Sequence, residues 1–560
     1  MILPMILACS PVDEGTEPPD VSSPPIDTSA PDSSDDTGSD DSDDTGSDDT
    51  GSGDTGSGDT ERPECPEHDG PQIATYSGCV RGQAGSAVES FLGIPYAEPP
   101  VDALRFARTV PVADWESPLE ASDYGYYCHQ ETDYTHLLSE DCLTLNIWRP
   151  VDTAADEGLP ILFFTHGGGF AAGSGWLAET ADEVLLAETA IVVTHNYRLG
   201  SLGFYPHSAL SDEDAAAHGG TGSSGNQGLF DTLTALQWVA ENAEQIGGDP
   251  SQVMIFGESA GGTAVCSMLA SPLAAGLFSS AIIESGWDCH NLYWEAGSPD
   301  EPGTAQAWGR DDAAERGCSG SDAEVLDCLR AISPDELSGM NGWPSVDGVF
   351  FETGFPEAAA SGTLNPAVIV AGANDNEGVY FTDYLGISTD GQLWGYLTWW
   401  ADALAFTDSA PLFEFYSSKV HGSPQTAYDI FYGDLAYVCP TRTLLSTVSA
   451  HNETYGYFFT QVPSWTTYYP IYEDWGAFHS AELAYVFGTG ADWFTSQEAD
   501  LSAQMRQAWI DVARGQMGDW PLYSTDGGTW MEWGERSEPI TGVRGAECDY
   551  FDAQGWASYP

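Results

Sequence analysis

The sequence predicts an α/β fold, a central and mostly parallel sheet covered by helices on both faces. Two observations carry this. From about Cys65 onward, short apolar runs alternate with stretches of helical character. The runs are apolar throughout, which marks strands buried on both sides. In chain order, Leu159–Thr165, Ala190–Thr194, Val253–Phe256, Ser280–Ile283, Ala367–Val370 and Tyr455–Thr460 read as buried strands. Asp231–Asn242 and Ser502–Ala513 read as helices.

At 560 residues and 42% hydrophobic content, the chain can bury a large core, as two or three domains or as one large domain with insertions. Its net charge is −72. Residues 10–64 hold 18 of the 87 acids and one base, Arg62, so the remainder still carries 69 acids against 14 bases, a net −55. Such a surface excludes binding to nucleic acid through a basic footprint and docking on anionic lipid. Lys419 is the only lysine. The charge fits solubility in a salty or crowded exterior; attraction of cationic substrates is the alternative.

Three segments follow from composition. Residues 1–9 end in Ile6-Leu7-Ala8-Cys9. This resembles the lipobox of bacterial lipoprotein signal peptides, although no basic residue precedes it. The resemblance implies that Cys9 is lipidated and becomes the mature N-terminus. Ser10 after it resembles the sorting pattern for the outer membrane of Gram-negative bacteria. The expectation is an exported lipoprotein, otherwise a periplasmic or secreted protein, that touches membrane only through Cys9. Residues 10–64 are Asp, Ser, Thr, Gly and Pro, with Asp-Thr-Gly-Ser recurring at 36–39, 44–47, 49–52 and 54–57. A stretch so poor in apolar residues stays a disordered acidic tether, spanning roughly 40 Å as a coil. No glutamate follows at the spacing of a calcium loop. Residues 65–560 form the globular part, without a run of 18 apolar residues to span a membrane.

Chemistry concentrates where strands end. Val253-Met254-Ile255-Phe256 runs into Gly257-Glu258-Ser259-Ala260-Gly261 and then helix-like Gly262-Thr263-Ala264-Val265. A G-x-S-x-G pentapeptide between strand and helix makes a sharp turn that lifts the serine hydroxyl above the sheet. The flanking glycines avoid a Cβ that would strike the neighbouring strand and helix. His166-Gly167-Gly168-Gly169-Phe170 follows the strand Leu159–Thr165 and leaves backbone N–H groups free to converge on one point. With the N–H of Ala260, those of Gly168 and Gly169 would form an oxyanion hole for acyl transfer by Ser259.

These motifs resemble the type-B carboxylesterase/lipase family, α/β-hydrolases that include the cholinesterases and bacterial carboxylesterases. The resemblance covers roughly residues 72–555. It takes in Phe91-Leu92-Gly93-Ile94-Pro95-Tyr96-Ala97, Leu104-Arg105-Phe106 and Ser139-Glu140-Asp141-Cys142-Leu143. Asn196-Tyr197-Arg198-Leu199-Gly200, Gly225-Asn226-Gln227-Gly228-Leu229 and Gly247-Gly248-Asp249-Pro250 extend it. It implies the α/β-hydrolase fold, with helical insertions over the active site.

The resemblance places the acid of a triad at Glu377, in Asn374-Asp375-Asn376-Glu377-Gly378, with Asp375 as the alternative. Asn376 stands where the family has aspartate. It places the base at His479, in Gly476-Ala477-Phe478-His479-Ser480-Ala481-Glu482; His166 beside the glycines reads as structural support. The order Ser259, Glu377, His479 fits the α/β-hydrolases. The implied activity is serine carboxylic-ester hydrolysis through an acyl-enzyme, requiring no metal and no organic cofactor, on a small-molecule ester. The sequence carries no signal for an oligomeric state.

Apart from Cys9, ten cysteines remain, an even number that fits an exported, oxidised protein. The family pattern implies Cys128–Cys142, Cys318–Cys328 and Cys439–Cys548. Cys65–Cys79 and Cys266–Cys289 would use the other four, with Cys266 as a plain buried helix residue the equal alternative to the last pair.

Cholinesterases hold choline against a tryptophan between their first paired cysteines; the loop His129–Asp141 has none, which argues against acetylcholine. Trp394, Trp399, Trp400, Trp465 and Trp475 are candidates for an apolar or aromatic acyl pocket, and equally for core packing. Short- to medium-chain or aromatic esters are expected. The alternatives are a long-chain lipid or polyester hydrolase, and a non-catalytic adhesion module, against which the intact Ser259, Glu377 and His479 argue.

Overall fold

Leu159–Thr165 forms a strand with the bounds expected from its apolar run. In the computed structural model of the chain, the described residues are 64–555 apart from 133–134, 179, 287–288, 290–293, 299, 340–341, 466–474 and 525–527. The leader with Cys9, and all of the acidic stretch except Glu64, lie outside the described residues.

Among the described residues, eleven strands build the central sheet and are numbered here along the chain. They are β1 Gln83–Ala84, β2 Val88–Pro95, β3 Thr144–Pro150, β4 Leu159–Thr165, β5 Ile191–His195, β6 Gly248–Glu258, β7 Ser280–Glu284, β8 Val368–Asn374, β9 Thr454–Phe459, β10 Thr529–Trp533 and β11 Pro539–Thr541. Their spatial order is β11-β10-β9-β8-β7-β6-β4-β5-β3-β2-β1. From β5 through β10 every pairing is parallel. The pairings at the two edges are antiparallel. The parallel centre contains all six strands expected from sequence. The edge strands escaped because their residues are mixed: Glu89 of β2 faces Arg149 of β3 in register and pairs with it at 2.7 Å. A charge satisfied by its cross-strand partner interrupts the apolar signature without breaking the strand.

Alternation along each strand divides the core. Ile161 and Phe163 of β4 enter the cluster on one face, with Ile255, Val193 and Leu236. Leu162 and Phe164 enter the other, with Met254, Phe256, Ile282 and Trp509. Helices α1 Gln227–Glu241 and α2 Ala260–Ala270 cover the first face. After them come α3 Asp390–Ala403, α4 Pro424–Gly433, a π-helical turn at Asp434–Val438, and α5 Cys439–Val448. Helix α6, Ser496–Ala513, lies on the second face. It starts six residues before the expected Ser502, because Thr495 caps it and forms a capping box with Glu498. Helix α7, Gly545–Gln554, ends the described chain.

Among the described residues, five disulfides brace the body: Cys65–Cys79, Cys128–Cys142, Cys266–Cys289, Cys318–Cys328 and Cys439–Cys548. Cys266, which could have been a plain helix residue, ties α2 to the segment after β7. Among the described residues no helix is long and apolar enough to cross a membrane.

Candidate active site

The site lies at the C-terminal ends of the parallel strands, where loops leave an α/β sheet. Strand β6 stops at Glu258, and Ser259 caps α2 with φ +58° and ψ −122°. This is a strained conformation for a residue with a Cβ. The neighbours explain it. A Cβ on Gly261 would lie 1.9 Å from the Thr165 carbonyl oxygen, and one on Gly257 2.5 Å from the Gly261 backbone. Helix and strand can approach this closely only through glycine, and the serine is left at the apex, partly exposed. Its N–H donates to the Glu284 carbonyl at 2.9 Å, which ties the turn to β7.

After β4, Gly168 and Gly169 take φ of +99° and +62°. A Cβ on Gly167 would sit 3.0 Å from the Ser259 Cβ, so the glycine loop stands directly against the serine turn. Ala260 is the first residue of α2, and its N–H is one of the donors a helix start leaves without an intrahelical partner. The short loop between Cys128 and Cys142 braces the glycine segment. Gln130 Nε2 donates to the Gly173 carbonyl, and Gln130 Oε1 accepts from the Gly173 N–H, each at 2.9 Å. His166 is buried and stacked on Tyr197 at 4.4 Å, and burial pushes its pKa down to about 4. It is a neutral support for the loop.

Glu377 follows β8 and is fully buried. Its Oε2 lies 2.6 Å from His479 Nδ1. Its Oε1 accepts from the Asn374 N–H and from Ser285 Oγ, both at 2.6 Å. The carboxylate is therefore held on both oxygens and can turn the imidazole in only one way. Asp375 is engaged elsewhere: its Oδ1 accepts from Arg544 Nη2 at 2.9 Å. The asparagine at 376 has a physical reason. Its Nδ2 donates to the Trp475 carbonyl at 2.8 Å, and its N–H to the Ala477 carbonyl at 2.9 Å, clasping the histidine loop. An ionised aspartate there could not donate.

The imidazole is enclosed. Tyr437, on the π-helical turn, lies 4.7 Å from it between ring centres, Phe381 4.9 Å and Tyr380 5.9 Å. Of the tryptophans singled out in the sequence, Trp475 reaches this wall, edge-on to Tyr380. Trp465 packs edge-on to Phe478, and Trp400 donates to the Tyr428 hydroxyl. Trp394 and Trp399 of α3 are exposed instead. On the far nitrogen, His479 Nε2 lies 3.0 Å from Glu258 Oε1, off the direction of an aligned hydrogen bond. Burial alone would disfavour an imidazolium. The two carboxylates, Glu258 and Glu377, outweigh it and hold the His479 pKa well above its usual value. Glu258 as a neighbour of the histidine, Ser285 and Asn374 are partners that motif reading missed. The available signal was a polar residue at the end of each apolar run, where a strand delivers its last side chains to the site.

Residues 69–550 match the Carboxylesterase family. The chain belongs to the carboxylesterase family. It is 30% identical over 538 residues to a cholinesterase of Mus musculus, covering 86% of each chain. It is 32% identical over 493 residues to the fumonisin B1 esterase of Sphingopyxis macrogoltabida, covering 83% of this chain and 87% of that one. It is 32% identical over 475 residues to the para-nitrobenzyl esterase of Bacillus subtilis strain 168, covering 80% and 92%. The sheet with its flanking helices is the α/β-hydrolase fold of this family, and this carboxylesterase-family protein is a serine hydrolase of carboxylic esters. Among the described residues, no group of three or more His, Cys, Asp or Glu side chains is placed to hold a metal ion.

Proposed function

We propose that Ser259 is the nucleophile, His479 the general base and Glu377 the orienting acid of ester hydrolysis, with Gly168, Gly169 and Ala260 as the oxyanion hole. The buried 2.6 Å contact between Glu377 and His479 carries this reading. Nε2 takes the Ser259 proton as Oγ attacks the ester carbonyl. Glu377 fixes the tautomer and stabilises the imidazolium. The backbone N–H groups receive the negative charge of the tetrahedral intermediate. His479 then protonates the leaving alcohol, and water repeats the cycle on the acyl-enzyme, releasing the acid and restoring Ser259.

The wall of Tyr380, Phe381, Tyr437 and Trp475 beside the imidazole favours short- to medium-chain or aromatic acyl or alcohol groups. The name of the Bacillus relative, a para-nitrobenzyl esterase, denotes an aromatic ester and is consistent with that class. A series of nitrophenyl esters tests it. The expected kcat/KM peaks between acetate and octanoate, with benzoate also accepted, and falls towards palmitate. A rise through palmitate would identify a long-chain lipid hydrolase instead, and no turnover of any member would favour an adhesion module. For its place in the cell, we propose export and anchoring through Cys9, which rests on the lipobox-like Ile6-Leu7-Ala8-Cys9.

A further inference from the structure

Behind His479 lies a row of acids that ester hydrolysis as described does not use. Glu284 ends β7 and pairs in register with Glu258 on β6 and with Gly372 on β8. Gly372 pairs in turn with Tyr457 on β9. A Cβ on Gly372 would lie 2.2 Å from the Tyr457 ring, so the glycine lets the phenol lie over β8, where its hydroxyl feels the charge of Glu284 first and Glu482 next. Glu482, three residues after His479, accepts from Asn374 Nδ2. From α6, Trp509 Nε1 donates to Glu284 Oε1 at 2.6 Å.

Glu284, Glu482 and Tyr457 are each 0% exposed, and Glu258 is 4% exposed. Glu284 Oε2, Glu482 Oε1 and the Tyr457 hydroxyl have no hydrogen-bond partner among the described residues. The charged groups acting from the surrounding elements are Glu258 on both carboxyls, and Glu284 and Glu377 on Glu482. None is a cation, and the imidazole of the site is already held between Glu258 and Glu377. Carboxylates at paired positions in a dry interior, without a cation, cannot all ionise.

We propose that Glu284 works as a neutral carboxylic acid, a positioning residue that shares its proton within the Glu258–Glu284–Glu482 row and so limits the negative charge felt by His479. Burial is the largest influence on this carboxyl. It outweighs the Trp509 hydrogen bond and, with the Glu258 charge, pushes the Glu284 pKa up to about 8. Above that pH a second negative charge appears beside Glu258. The proton affinity of His479 then rises, so the last part of its deprotonation is drawn out to higher pH. This rests on His479 being the general base.

The test is Glu284→Gln, since the amide keeps the shape and donor of the protonated acid but cannot ionise. We expect kcat/KM at pH 7 within about threefold of wild type. The rise of wild-type kcat/KM with pH should be drawn out past roughly pH 8, and the variant should reach its plateau at lower pH. Infrared difference spectra without substrate should show protonated carboxyl intensity at pH 7 that Glu284→Gln reduces, the remainder belonging to Glu482, whose pKa burial also holds well above its usual value, and that alkali abolishes in wild type. No decrease of that intensity in Glu284→Gln, or a loss of more than about tenfold in kcat/KM at pH 7 in a variant that still melts cooperatively, would overturn the proposal. Trp509→Phe keeps the test available should the amide variant fail to fold. Losing the N–H donor should move the disappearance of the carboxyl band in alkali to higher pH, and no movement would count against the proposal. The infrared readout is independent of the triad assignment, so failure of the triad alone would leave the decrease on Glu284→Gln in place.

Discussion

Glu258 Oε1 lies 3.0 Å from His479 Nε2, while Glu377 Oε2 holds Nδ1 at 2.6 Å from the other side. A general base needs its Nε2 free of a proton, yet two carboxylates favour the doubly protonated ring. The enzyme therefore trades basicity against availability.

Glu258→Gln removes one of the two charges and should lower the His479 pKa. The acid limb of kcat/KM, which reports the free enzyme, should then move to lower pH. Stability follows the same sign. With a raised folded pKa, the pairing stabilises the protein fully below about pH 6.5 and loses that contribution as pH rises through the folded value. The variant should show a weaker loss of stability on the alkaline side. A pH–rate profile unchanged from wild type would refute this role.

Glu377→Gln should cost kcat on the order of 10⁴-fold, the scale of losing a triad carboxylate. Asp375→Asn should stay within about threefold of wild type, since Asp375 is partly exposed and bound to Arg544, a pair worth roughly 0–1 kcal/mol. Steady-state kinetics of both variants decide between the two acids. The reverse order of damage would make Asp375 the triad acid.

The disulfides should differ in worth. Cys439 and Cys548 are 109 residues apart, against 10 for Cys318 and Cys328. In the chain-entropy view, the long closure contributes about 4.7 kcal/mol and the short one roughly 3 kcal/mol. Denaturant titration of the two double-serine variants measures this, and an equal or inverted loss would contradict the entropic account.

Cys9→Ala should move the protein expressed in cells from the detergent phase to the aqueous phase. A lipidated cysteine buries CH₂ groups worth about 0.8 kcal/mol each, and the described body has no helix fit to cross a membrane. Aqueous partitioning of both forms would leave a periplasmic or secreted esterase.

Much of this was legible in the sequence because the chemistry sits in short motifs at strand ends. Gly257 and Gly261 are dictated by the close approach of β4, and the apolar run before them announces β6. What stayed hidden depends on residues far apart in the chain. Ser285 reaches Glu377 across 92 positions, and Trp509 reaches Glu284 across 225. Only the sheet order brings them together. Composition likewise could not separate Trp475, which lines the site, from Trp394 and Trp399, which face solvent. Asn376 looked like a departure, and its role as a donor to the histidine loop appears only once that loop is folded against it.

The most direct measurement is labelling with a fluorophosphonate, followed by mass analysis of the modified peptide. The account predicts one label per chain, on Ser259, with ester hydrolysis lost in proportion. It also predicts that Ser259→Ala takes up no label, folds normally and keeps under about 1% of wild-type activity. Labelling of another residue, or hydrolysis that survives Ser259→Ala above that level, would contradict it.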